Sequence, residues 1–148
     1  MKEHFLKKIA DLQQRERESK DAVEKQAHIQ ARRDAEAFRR FSEHIADVVR
    51  PAFEAFAEAL DEQRIKVILR FEEGVPGRLA ELPPLAEVMV KRSAKDFSLS
   101  YRLEGTNFIM RLALGGMERR AILPPVRLNA SRVRIDLDTL LEASLSSR

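Results

Sequence analysis

The first fifty residues contain neither glycine nor proline: the first proline is Pro51 and the first glycine is Gly74. A stretch this long, rich in Ala, Glu, Lys, Gln and Arg, holds nothing that stops a helix and much that favours one. Acid-before-base pairs at a spacing of four add support at Glu3–Lys7, Glu16–Lys20, Asp21–Lys25 and Glu36–Arg40. Each such pair adds a small increment to an exposed helix.

The helical region has two characters. From Phe38 onward the apolar residues Phe38, Phe41, Ile45, Val48, Val49, Ala52, Phe56 and Leu60 recur at helical spacing. A stripe that broad must be buried against another element. Before Phe38 the stripe is thin. A four-three seam begins with Phe5, Ile9 and Leu12, then turns polar through Glu16, Ser19, Gln26, Gln30 and Arg33. A stable coiled coil keeps apolar residues at most seam positions. Residues 1–33 therefore read as a protruding helix or weak coiled coil, and 34–148 as an α+β domain. Phe5, Ile9 and Leu12 are the expected oligomerisation residues. Pro51 removes a helical hydrogen bond and crowds the preceding turn, so a kink or break is expected near 49–51, with the second segment ending about Glu62.

After Gln63 the period changes from 3.6 to 2. Ile65, Val67, Leu69 and Phe71 mark a first strand, Val88 and Val90 a second, Phe97–Leu103 a third and Phe108–Leu114 a fourth. Arg120–Leu123 and Val126–Ile135 supply one or two more, giving an antiparallel sheet of about five strands. Asp136 or Asp138 can cap a short C-terminal helix carrying Leu140, Leu141 and Leu145. The duplicated Leu-Pro-Pro motifs at Leu82–Leu85 and Leu123–Val126 end strands. The sequon at Asn129 reads as a turn.

The third and fourth strands can be aligned from sequence. With Gly105-Thr106 as a two-residue turn, glycine first as a type II′ turn prefers, Leu103 faces Phe108, Tyr101 faces Met110, Leu99 faces Leu112 and Phe97 faces Leu114. Every pair is apolar and on one face, so a slip of one residue would expose all of them. With Ser93–Asp96 as the preceding loop, Val90 meets Leu99, Val88 meets Tyr101, and Glu87 stands opposite Arg102. The opposite face then gathers Lys91, Ser98, Ser100, Arg102, Ile109, Arg111 and Ala113, with Lys66 and Arg70 nearby. Lys91, Arg102 and Arg111 are the candidate binding residues of a basic sheet face.

The charge distribution agrees in sign. Residues 1–63 carry a net −2 and residues 64–148 a net +5, and a basic excess can serve an anionic partner. No aromatics interleave the basic face for base stacking, however, because those of the hairpin point the other way.

No catalytic chemistry is spelled out. There is no cysteine, hence no thiolate nucleophile, thiolate metal site or disulfide. His4, His28 and His44 all lie on the helical region without a metal-ligand motif, and no P-loop, G-x-G-x-x-G or G-x-S-x-G occurs. The chain reads as non-enzymatic, with no cofactor and no metal. The opening MKEHFLKKIADLQQ lacks the apolar core of a secretory leader, and no apolar run reaches membrane length. A cytoplasmic location without a membrane role is expected. The functional expectation is a scaffold or adaptor that forms homo-oligomers through its N-terminal helices. The alternative is a nucleic-acid-binding accessory protein using the basic sheet face and the arginines at 32, 33, 39 and 40.

Overall fold

The computed structural model describes residues 1–92 and 94–146. The architecture is α+β. Helix α1 (Lys2–His44), a π-turn (Ile45–Val49) and helix α2 (Arg50–Glu62) are followed by strands β1 (Lys66–Glu72), β2 (Leu85–Lys91), β3 (Phe97–Glu104), β4 (Asn107–Leu114) and β5 (Met117–Leu123). A short 3₁₀ turn (Pro125–Arg127) leads into helix α3 (Ala130–Ser146). The chain divides into two units, Met1–Arg33 and Asp34–Arg148. Among the described residues no helix is long and apolar enough to cross a membrane.

In the first unit every residue is exposed, including Phe5, Leu6, Ile9 and Leu12. Its helix is held by backbone bonds and weak surface pairs, such as Glu16–Lys20 at 3.9 Å.

The second unit is a five-stranded antiparallel meander in the order β1-β2-β3-β4-β5. One face carries the core: Val88, Val90, Phe97, Leu99, Tyr101, Leu103, Phe108, Met110 and Leu112 are all buried. The Phe38–Leu60 segment covers this face through Phe41, Val49, Phe53 and Leu60, and α3 adds Val133, Leu137 and Leu140. Phe41 meets Phe108 edge-on at 5.1 Å and Phe53 stacks on Tyr101 at 6.0 Å.

The irregularity expected near Pro51 is a π-turn, and the chain stays helical across it. Arg50 N–H bonds to the Ile45 carbonyl, five residues back, and Pro51 falls in the first turn of α2, where its missing N–H costs least. The wider turn also changes which residues face the core. In a regular α-helix, steps of four drift by about 40° each. A π-turn takes up one extra residue, so Phe41, Val49 and Phe53 stay in one line. Phe53, absent from the stripe expected from the sequence, is thus fully buried, whereas Phe56 is only partly so. Helix α2 ends at Glu62 in a Schellman arrangement: Arg64 N–H bonds to Asp61 O at 2.9 Å and Ile65 N–H to Leu60 O at 2.9 Å. The left-handed position is held by Arg64 (φ 61°) rather than by glycine.

The β3–β4 hairpin has the expected register, Leu103↔Phe108 through Phe97↔Leu114. Gly105 takes φ 61° and Thr106 a negative φ, as a type II′ turn requires. The β2–β3 register differs by two residues. Val90 pairs with Phe97, Val88 with Leu99 and Ala86 with Tyr101. The expected loop is therefore too short: β2 ends at Lys91 and β3 begins at Phe97. Ser93, within that loop, lies outside the described residues. A shift of two preserves the faces, which is why the core is unaffected.

The stretch Val126–Ile135 is not a strand. It forms the 3₁₀ turn and the first turns of α3. Asn129 caps this helix: its side-chain oxygen accepts the Arg132 N–H at 2.9 Å. Asp136 is no cap. It is buried in mid-helix, where it accepts the Tyr101 hydroxyl at 2.6 Å and the Arg132 Nε at 3.0 Å.

Candidate functional site

The face of the sheet away from the helices is built from the even-numbered residues of β1, β3, β5 and the odd-numbered residues of β2 and β4. The ladder arranges most of them in four rows running across the strands, with the Glu104–Asn107 pair beyond the last. The first holds Lys66 and Lys91. The second runs Ile68, Met89, Ser98, Ala113, Glu118, and the third Arg70, Glu87, Ser100, Arg111, Arg120. The fourth runs Glu72, Leu85, Arg102, Ile109, Ile122. The face is therefore banded, with apolar or small residues between charged rows.

Lys91, Arg102 and Arg111 all lie on this face, but not side by side. Lys91 is in the first row, Arg111 in the third and Arg102 in the fourth. Six residues of strand separate the levels of Lys91 and Arg102, about 20 Å. Glu87 faces Ser100 rather than Arg102, because of the two-residue shift. Lys91 and Arg111 do flank a common groove of about 250 Å³, with Met89, Ser98 and Ala113 on its floor and Glu87 in its wall. The small side chains at 98 and 113 make the depression. Arg102 is outside it.

The arginines are matched by acids. Arg111 Nε sits 2.9 Å from Glu118, Arg102 bonds to Glu104, and Arg120 lies 3.7 Å from the same Glu104. Arg70 lies 3.4 Å from Glu87 and 3.6 Å from Glu72. These are exposed pairs of small energetic weight, yet they offset much of the positive charge that an anion would meet. Lys66 and Lys91 stand directly opposite each other, and none of the described ion pairs includes either. Sequence reading did not find this couple, since it depends on the register of an edge strand. On the helix side, Arg39 bonds to Glu36 and Glu43, both at 2.6 Å, and Arg40 bonds to Glu36 at 2.9 Å. Hydrogen bonds from Arg39 and then Arg40 hold the Glu36 carboxyl below its usual range.

The expected oligomerisation residues belong to the first unit. Phe5, Ile9 and Leu12 are 54%, 50% and 53% exposed, and Leu6 beside them 56%. They form a half-exposed apolar stripe at helical spacing.

Neither surface assembles reactive groups. Among the described residues no three His, Cys, Asp or Glu side chains gather in a metal-binding arrangement. His44 Nδ1–H donates to the Arg40 carbonyl at 2.7 Å, and its ring edges against Phe108. No protein-family model matches the chain, and neither a curated protein nor a solved structure is found similar to it.

Proposed function

We propose that this chain is a non-enzymatic interaction protein of the cytoplasm, a scaffold or adaptor that self-associates through its N-terminal helix. The observation that carries this reading is the unbroken run of exposed residues from Met1 to Arg33 with the half-exposed Phe5, Leu6, Ile9 and Leu12 on it. Exposed apolar side chains grouped at helical spacing are a recurrent mark of partner surfaces. A second chain supplies a matching stripe of the same composition, and the seam of a weak coiled coil is the natural contact. Sedimentation of the full chain should reveal a dimer or larger species. Ile9→Glu together with Leu12→Glu should shift it toward smaller mass without changing the melting of the sheet domain. A monomer at high micromolar concentration, or association that ignores both substitutions, would sink this reading.

The basic sheet face supports the nucleic-acid alternative less well. Its arginines are shared with Glu87, Glu104 and Glu118, and it carries no aromatic for a base to stack on.

A further inference from the structure

The two edges of the sheet are built differently. At the β5 edge, Arg119 faces Leu112 and so puts a charge on the helix-covered side. An inward-pointing charge discourages a further strand from adding there. The β1 edge has no such guard. Its helix-side residues, Val67, Leu69 and Phe71, are apolar and only partly buried against the core. Its ladder to β2 is unbroken over seven pairs, without bulge or proline. Among the described residues no other backbone hydrogen bond reaches Lys66–Glu72, so the outward N–H and C=O groups of this strand have no protein partner.

The charges of β1 lie on the open side. Lys66 stands at one end and Glu72 at the other, with Arg70 between. Across the ladder Lys66 faces Lys91, an arrangement of like charges that costs stability. What is missing at this corner is a carboxylate.

We infer that β1 pairs antiparallel with β1 of a second copy of this chain, about a two-fold axis at Leu69. In that register Lys66 meets the partner's Glu72, and the contact repeats at the other end by symmetry. The introduced carboxylate lies beside the Lys66–Lys91 couple. Val67 then faces the partner's Phe71, Leu69 faces the partner's Leu69, and Ile68 faces the partner's Arg70. The register is specified by its neighbours' failure. A slip of two residues one way sets Lys66 against Arg70, and two the other way sets Arg70 against Arg70. A slip of one sets helix-side apolar residues against open-side charges. Of the centred alignment and the two slips that keep the faces matched, only the centred one has no like-charge pair. Two meanders then join into one continuous ten-stranded sheet, and the half-covered Val67, Leu69 and Phe71 gain apolar neighbours. This contact is separate from the N-terminal helix and does not depend on it.

A charge exchange tests the contact. The full chain would be prepared with Ile9→Glu, to remove association through the helix, and examined by sedimentation with β1 intact, with Lys66→Glu, with Glu72→Lys, and as an equimolar mixture of the last two. The intact strand should give a dimer. Each single change sets like charges together at both ends and should weaken the dimer about tenfold or more. The mixture should restore it, because each chain then brings the sign the other needs. Lys66→Glu also places a carboxylate opposite Lys91, so its melting temperature should not fall, which separates lost association from lost folding. The proposal is overturned if the chain with β1 intact is a monomer, which would leave the edge to some other occupant. It is equally overturned if the single changes dimerise as well as the intact strand, or if the mixture is no tighter than its components. The helix reading fails separately, if Ile9→Glu by itself leaves association unchanged.

Discussion

Tyr101 carries a buried side-chain hydrogen bond between sheet and α3. Its hydroxyl donates to Asp136, which also accepts from Arg132, so the buried carboxylate is satisfied. Burial, then the charge of Asp136, then the hydrogen bond to it push the Tyr101 hydroxyl far above its usual range. The sign of the consequence is definite. A folded-state value above the unfolded one leaves stability intact below about pH 10, where both states keep the proton. Above that the unfolded tyrosine ionises and the folded one does not, so stability falls by about 1.4 kcal/mol per pH unit through this group. Tyr101→Phe should cost on the order of 1–3 kcal/mol at neutral pH, because Asp136 loses a donor. It should also remove this alkaline slope, as seen when denaturant midpoints of the two proteins are compared from pH 9 to about 11. Asp136 was legible only as an acid near a helix start. That it lies about two turns inside the helix, under Tyr101, follows from Asn129 taking the cap, a signal present in the sequence but masked by the β-prone Val and Ile residues of 126–135.

At the scale of elements, the π-turn sets the phase between the two halves of the Phe38–Leu60 stripe. Ala46 is exposed within it. Deleting Ala46 should convert the π-turn to a plain α-turn while keeping Phe41 and Phe53 on one face, and so change the melting temperature by only a few degrees. Inserting an alanine beside it should turn α2 by about 100° relative to the core and abolish cooperative unfolding. Thermal melts of the two variants decide this. The β3–β4 hairpin was fully legible because Gly105 fixes the turn and four apolar pairs fix the register. The β2–β3 connection was not. No residue between Lys91 and Asp96 demands a particular backbone conformation, and alternation alone tolerates a shift of two. That shift moved Arg102 two residues further from Lys91 and took Glu87 from opposite it, so the basic face was found in outline but not in detail. The helical N-terminus was legible from the missing glycine and proline. Self-association through it was not legible in the same way, because an apolar stripe that stops after Leu12 does not fix a seam.

For the molecule as a whole, the balance of fields on the open face limits what it can hold. Of its six cations, only Lys66 and Lys91 have no acid beside them in the described ion pairs. Binding to generic duplex DNA should then respond to salt with a log–log slope no steeper than about −1.8, the value for two neutralised phosphates. Measured affinities at two salt concentrations check this, and a slope near −2.7 would restore Lys91, Arg102 and Arg111 as a set of three phosphate contacts. The placement of Tyr101 also determines how the molecule looks to light. The chain has no tryptophan and a single tyrosine, and that tyrosine is fully buried in the sheet core. Tyrosine emission, and the near-ultraviolet dichroism at tyrosine wavelengths, therefore report on the second unit alone. The helix of residues 1–33 lacks both chromophores and is followed in the far ultraviolet. Any temperature at which the far-ultraviolet signal falls while the tyrosine signal holds belongs to that helix, so unlabelled protein carries its own two-channel readout of where it unfolds first.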